Sequence, residues 1–266
     1  MNKISLCLIT LCYNEMEVMA FVLDYWMRLR YQLKENMKVV VYDNYSTDGS
    51  DTYLQCYDWI EVRKFNSNGK HNDVIHQQVK HDAWREFKGK YDFICICDFD
   101  EVLWNKDNDI LEELQYMKDN GYNVLGTEWI AFCGNEKPRY TSIKYLHQLV
   151  KRGYHQYINH TKGYANLGKF LLFDSSVQDI QWSVGQHILF DVKPTFKLYK
   201  SDKIITFHIN KGFGEDYFVQ KRHKMGARLS ETNKRYGMAV EYNYPEYKIR
   251  EEYRSYQKES FDISNL

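Results

Sequence analysis

Short apolar runs alternate with stretches of helical periodicity through the first half of the chain, and that alternation restricts the fold more than any other feature. Residues 4–10, 38–43, 60–65 and 91–97 read as strands. After the first, Val18, Phe21, Val22, Tyr25, Trp26 and Leu29 recur at helical spacing and make one apolar face, with Asn14 as its cap. After the third, Val74, Ile75, Val79, Ala83, Trp84 and Phe87 form a second such face, in a helix starting at Asn72 or Asp73. A helix over 110–118, stopped at Asn120-Gly121, leads to a fifth strand over 122–132. Strands joined by helices predict an α/β fold, Rossmann-like, with a mostly parallel sheet and helices on both faces.

Beyond residue 132 the pattern weakens. Residues 170–173, 180–184, 195–199 and 204–209 read as short strands, and the charged, Tyr-rich chain from 214 onward reads as a C-terminal helical extension. Three prolines and no Gly/Ser-rich tract leave no flexible linker. The expected organisation is a catalytic body over 1–210, with halves 1–132 and 133–210, and helices over 211–266 packed on it. Lys plus Arg and Asp plus Glu are equal at 36 each, so no overall field favours nucleic acid. The cysteines Cys7, Cys12, Cys56, Cys95, Cys97 and Cys133 show no C-x-x-C spacing, and apolar neighbours make most of them small hydrophobes. No apolar run approaches the ~20 residues that span a bilayer, and MNKISLCLIT lacks a signal-peptide core. A cytoplasmic protein is expected, with peripheral contact at the inner membrane face left open by the basic, aromatic C-terminus.

The chemistry points to strand ends. FICICDFDEVLW, residues 93–104, is a buried strand that ends in Asp98, Asp100 and Glu101. Ligands of open α/β sheets bind beyond the carboxyl ends of strands. Asp-x-Asp placed there offers hard oxygen ligands to Mg²⁺ or Mn²⁺. A polar turn is the bland alternative, but three crowded carboxylates repel one another unless a cation sits among them. Residues 10–15 and 43–51 end the first two strands and should line the same crevice, with Asp43 able to accept from a nucleobase or ribose. No glycine-rich phosphate loop is present, so backbone amides at a helix start do not cradle the phosphates.

Several blocks together resemble nucleotide-sugar glycosyltransferases of the GT-A fold, family 2-like and related to DUF23-like enzymes. They are TLCYNE (10–15), VYDNYSTDGS (41–50), HND (71–73) with AW (83–84), CDFDE (97–101), WSVGQH (182–187), FHINKGFGEDYFVQKR (207–222) and RLSETN (228–233). The resemblance implies transfer of a sugar from a nucleoside-diphosphate sugar, UDP or GDP, to a glycan or lipid-linked acceptor in polysaccharide biosynthesis. It implies Mn²⁺ or Mg²⁺ at the D-x-D pair Asp98 and Asp100, with His208 as third ligand and His187 as a weaker candidate. Thr10, Asn14 and Glu15 would border the nucleotide, and Asp43 would touch its base or ribose. Lys211, Lys221, Arg222 and Arg228 would neutralise the diphosphate. Inversion needs a carboxylate base, for which Glu128, inside an apolar strand, and Asp216, beside Glu215 at a helix start, are candidates.

Two other readings fit part of the pattern. Asp98-Phe99-Asp100-Glu101-Val102 also fits a haloacid-dehalogenase-type phosphatase, with Asp98 as nucleophile and Asp100 as acid/base. That motif belongs on a first strand, and here three strand–helix units precede it. A non-catalytic glycan-binding scaffold would not need the D-x-D pair.

Overall fold

The computed structural model describes residues 3–156, 169, 172–177, 179–186, 189–190, 196–209 and 211–266. Strand β1 (Leu6–Cys12) leads into helix α1 (Met16–Gln32), β2 (Met37–Asp43), the short α2 (Ser50–Leu54), β3 (Ile60–Lys64), α3 (Asp73–Phe87) and β4 (Phe93–Asp98). These four strands are parallel, in the order β4-β1-β2-β3. Side-chain alternation divides the core. Leu6 and Leu8 of β1 and Phe93, Cys95 and Cys97 of β4 pack with the α1 face, built on Phe21, Val22, Tyr25 and Trp26. Cys7, Ile9, Ile94 and Ile96 point the other way, onto Ala83, Trp84 and Phe87 of α3. Period-two alternation therefore buries both sheet faces under helices. Val74, expected on the inner face of α3, is exposed. All six cysteines are free, and five are buried.

The D-x-D segment turns straight into another strand, β5 (Glu101–Asn105), where the sequence pattern indicated only a polar exit. Helix α4 (Ile110–Asp119) and β6 (Val124–Phe132) follow, then α5 (Leu146–Val150), β7 (Arg152–His155), β8 (Leu172–Asp174), β9 (Gln181–Trp182) and β10 (Leu189–Phe190). Residues 198–208, expected as parts of two strands, form one, β11 (Leu198–His208). It runs parallel to β6 and antiparallel to β5, with a register shift between Lys200 and Ile205. Strand β8 bridges β4 and β6 antiparallel, so the sheet is mixed on this side.

The C-terminal segment forms α6 (Glu215–Gly226), α7 (Glu231–Tyr236) and α8 (Glu246–Glu259), then β12 (Phe261–Asp262), which pairs with β7. It is thus a helical layer that rejoins the sheet edge. Trp104 Nε1 donates to the Leu266 carbonyl at 2.9 Å, holding the last residue against β5. None of the described helices is long and apolar enough to cross a membrane.

Candidate active site

The ends of β1, β2 and β4 lie at one edge of the sheet, as parallel pairing requires. The turn after β1 is locked to the turn after β2. Asn14 N donates to Ser46 Oγ at 2.9 Å, and Thr47 N donates to Asn14 Oδ1 at 2.7 Å. Asn14, expected to cap α1, adopts a left-handed backbone (φ 54°) instead, and Glu15 takes the cap position. The exposed amides at the start of α1 are satisfied from the other loop. Glu15 N donates to Ser50 Oγ and Met16 N to Asp48 Oδ2, each at 3.0 Å.

Beyond β4, carboxylates and lysines interleave. Asp98 accepts from Lys80 of α3 at 2.6 Å and from Lys169 at 2.7 Å. Lys169 also pairs with the fully buried Glu101 at 2.5 Å, and Glu101 Oε2 accepts from Asp98 N. Gln186 fixes Lys80 from behind, its Oε1 accepting a hydrogen bond from Lys80 Nζ at 2.8 Å while its Nε2 donates to the Ile96 carbonyl. Asp100 accepts from Lys221 of α6 at 2.8 Å. Its other oxygen lies 3.6 Å from His208 Nε2 at the end of β11. His208 in turn contacts Gln156 through Nδ1 at 3.0 Å and stacks on Trp129.

This interleaving sets the protonation states. Burial alone would raise the Asp98 and Asp100 pKa values. Lys169 and Lys80 beside Asp98, and Lys221 and His208 beside Asp100, outweigh it and hold both carboxyls well below the ordinary range. Glu15 behaves oppositely: burial, with Asp100, Asp48 and Asp98 nearby, pushes it up to about 7 despite Lys221. The site thus holds two firmly ionised carboxylates and one carboxyl able to exchange a proton near neutrality.

Thr10 is completely buried two residues before the end of β1, so it does not reach the crevice. Asp43 stands at the crevice edge but is also fully buried. Its carboxylate accepts from Ser46 N at 2.9 Å and Lys64 at 2.7 Å, which leaves no face open to a nucleotide in this conformation. Arg228 does border the crevice, its guanidinium 3.3 Å from the centre of the Tyr13 ring and its Nε donating to the Gly69 carbonyl. Glu128 pairs with Lys106 at 3.8 Å and lies level with Ile205, three positions before His208 on the neighbouring strand. Alternation points it to the face opposite Trp129 and His208, so the structure does not bring it to the cluster. Asp216 is 80% exposed and bound to Arg250, a plain helix-start charge. Lys211 packs over Tyr256 and against the Tyr154 hydroxyl, and burial lowers its pKa to about 7. Arg222 pairs with Glu252 at 2.8 Å. His187 lies outside the described residues.

Asp98, Asp100 and His208 do not converge as a set of three donors. Among the described residues, the only three His, Cys, Asp or Glu side chains whose ligand atoms all lie within 4.8 Å of one another are His71, Asp73 and His76. Lys80 and Lys169, the main counter-charges of Asp98, had no sequence signal. One is a polar position on a helix and the other lies in an unpatterned segment.

A family model described as glycosyl transferase family 2 matches residues 7–177, more than half of the chain, including the ends of β1, β2 and β4. The chain belongs to glycosyl transferase family 2. It is therefore a glycosyltransferase, and its order of strands and helices is that of the GT-A fold. S. aureus TarS, residues 1–349, determined in complex with UDP-GlcNAc, superposes with a TM-score of 0.51 at 15% identity, over 87% of this chain and 69% of that one. Against S. aureus TarS as a longer chain the TM-score is 0.47 at 12% identity, covering 98% of this chain and 45% of that one. This family 2 chain thus spans less than half of the longer TarS. No curated protein matches it by sequence. Membership in a transferase family removes the phosphatase reading.

Proposed function

We propose that the protein transfers a glycosyl group from a uridine-diphosphate sugar to a hydroxyl of a glycan or lipid-linked acceptor, with inversion and with a divalent cation at the diphosphate. The observation that carries this is the meeting of Asp98, Asp100, Glu15 and Lys221 at one edge of the sheet, beyond a buried parallel strand. The choice of uridine draws support from the fold shared with TarS, which was determined with UDP-GlcNAc.

Asp100 offers a carboxylate to a Mn²⁺ or Mg²⁺ ion, with His208 facing it across 3.6 Å, a gap too wide for a hydrogen bond. Such an ion would neutralise the leaving diphosphate as a Lewis acid. Asp98 is committed to Lys80 and Lys169 in this conformation and serves to hold those ammonium groups at the phosphate edge. Lys221 spans Asp100 and the Glu15 region and adds positive charge where the diphosphate leaves. A cavity of about 140 Å³ lies beside Lys221, lined also by Gln156, Lys211, Arg222 and Tyr242. It is too small for a nucleotide sugar, since ligand sites run to about 300–1,000 Å³. The donor is therefore assigned to the open crevice.

A thermal-shift panel of UDP, GDP, CDP and TDP, each with and without Mn²⁺, tests the reading, because a ligand of the folded state raises apparent stability by mass action. UDP with Mn²⁺ should shift the transition most. An equal or larger shift with GDP would overturn the uridine assignment, and shifts indifferent to Mn²⁺ would overturn the metal.

A further inference from the structure

We propose that His71, Asp73 and His76 form a second cation site, separate from Asp100 and His208 and suited to a zinc-like ion. Their ligand atoms lie within 4.8 Å of one another. His71 Nε2 stands 3.2 Å from Asp73 Oδ1, and the two imidazole rings meet edge to face with centroids 5.1 Å apart. Zinc binds imidazole nitrogen and carboxylate oxygen at about 2.0–2.2 Å, which puts tetrahedral ligand atoms about 3.3–3.6 Å apart. An ordinary His–Asp ion pair accounts for two of these residues. Beside that pair the second imidazole, packed edge to face on the first, adds a third donor, and the three together form a set that one cation can share.

Donor chemistry selects the ion. Two imidazole nitrogens and one carboxylate oxygen suit zinc and its transition-metal neighbours, whereas Mg²⁺ and Ca²⁺ take oxygen. Three protein ligands leave a further position for water or an anion.

The backbone holds the trio in place. Asn72 caps α3 through Ile75 N, so Asp73 and His76 fall three residues apart on one helix face. His71 is fixed on both sides: its N–H donates to the Arg228 carbonyl at 2.8 Å, and its own carbonyl accepts from Ser230 N at 3.0 Å. The second Asp73 oxygen accepts from Asn233 Nδ2 at 2.8 Å, while Asp73 N donates to Asn233 Oδ1 at 3.0 Å. Asn233 is completely buried, so the carboxylate is aimed by a partner that cannot turn away. Phe65 packs on His76 and Tyr242 on His71, giving the site aromatic walls. An ion here would tie the start of α3 to the turn that carries Arg228, and so brace the Tyr13–Arg228 wall of the crevice.

The test uses the full chain after treatment with a chelator. Calorimetric titration with Zn²⁺ should show about one high-affinity site per chain, and Co²⁺ should give the strong visible absorption of a low-coordinate nitrogen–oxygen site. Asp100→Asn should leave both signals in place. His71→Gln, Asp73→Asn and His76→Gln should each abolish them, and Asn233→Ala should weaken zinc about 10–100-fold. Zinc binding that survives both histidine substitutions, or that disappears in Asp100→Asn, would overturn the proposal. Histidine ring NMR of the unmodified protein needs no variant. Zinc should shift the His71 and His76 rings first, and a response confined to His208 would equally overturn it.

Discussion

Asp98 and Asp100 are two residues apart, yet their partners come from entirely different parts of the chain: Lys80 and Lys169 for one, Lys221 and His208 for the other. Removing a carboxylate therefore does more than relieve repulsion, because it leaves an ammonium group without its partner. Asp100→Asn should abolish sugar transfer and cost about 1–3 kcal/mol of stability, measured by product assay and denaturant unfolding. Unchanged turnover would remove Asp100 from the reaction. Lys169→Ala should be worse for folding, about 3–5 kcal/mol, since it strands the fully buried Glu101. Glu15 responds to pH with the opposite sign from the aspartates. Its carboxyl is raised from 4.5 to about 7, so the folded state keeps a proton that the unfolded chain has released. That contribution is full below pH 4.5 and fades as pH rises to about 7. The Asp98 and Asp100 contributions are full above the ordinary 3.8 and are lost on acidification below it. Glu15→Gln should consequently gain on the native protein as pH rises from 4.5 to 7, by up to about 3 kcal/mol, and parallel Tm profiles of the two proteins would rule this out.

Helix α1 starts where it does because a loop more than thirty residues later caps it. Asp48 and Ser50 take the places that a local Asn or Ser would fill, and Asn14 is released to hold Thr47. Asp48→Ala should cost about 1 kcal/mol, the usual worth of a cap, and should also lower donor affinity because the two crevice loops lose a tie. A mutant with unaltered stability would show that the cap is satisfied by water. Strand β5 was hidden in the sequence for a related reason. Glu101–Asn105 is apolar enough to be a strand, but its antiparallel partner β11 lies about a hundred residues on. Local periodicity reports burial and not partners. At the other edge, β12 completes the sheet from the chain's last residues. Deleting 261–266 removes its pairing with β7 and the Trp104–Leu266 bond. A Tm lower by several degrees is expected, at about 2–4 °C per kcal/mol for a chain of this size.

The molecule places its C-terminal helices against the candidate site, because α6 brings Lys221 to Asp100. Lys221→Met should cut transfer at least about tenfold, a loss of ~1.4 kcal/mol in the barrier, while UDP binding falls and the fold persists. Full activity in that variant would detach the C-terminal layer from catalysis. Much of this architecture was legible in the residue order. The alternation of strands and helices specified the parallel half-sheet and its two covered faces, and buried strands ending in Asp43 and Asp98 located the crevice edge. Such features are local: periodicity of two or 3.6 and a polar residue after an apolar run are properties of neighbouring residues. The charge state of the site is not local. Whether Asp98 is paired, the Glu15 pKa raised, Asp43 closed off or Glu128 turned away depends on burial and on cations contributed from positions 64, 80, 106, 169 and 221. Coulombic and desolvation energies follow distance in space, and only the folded chain sets those distances.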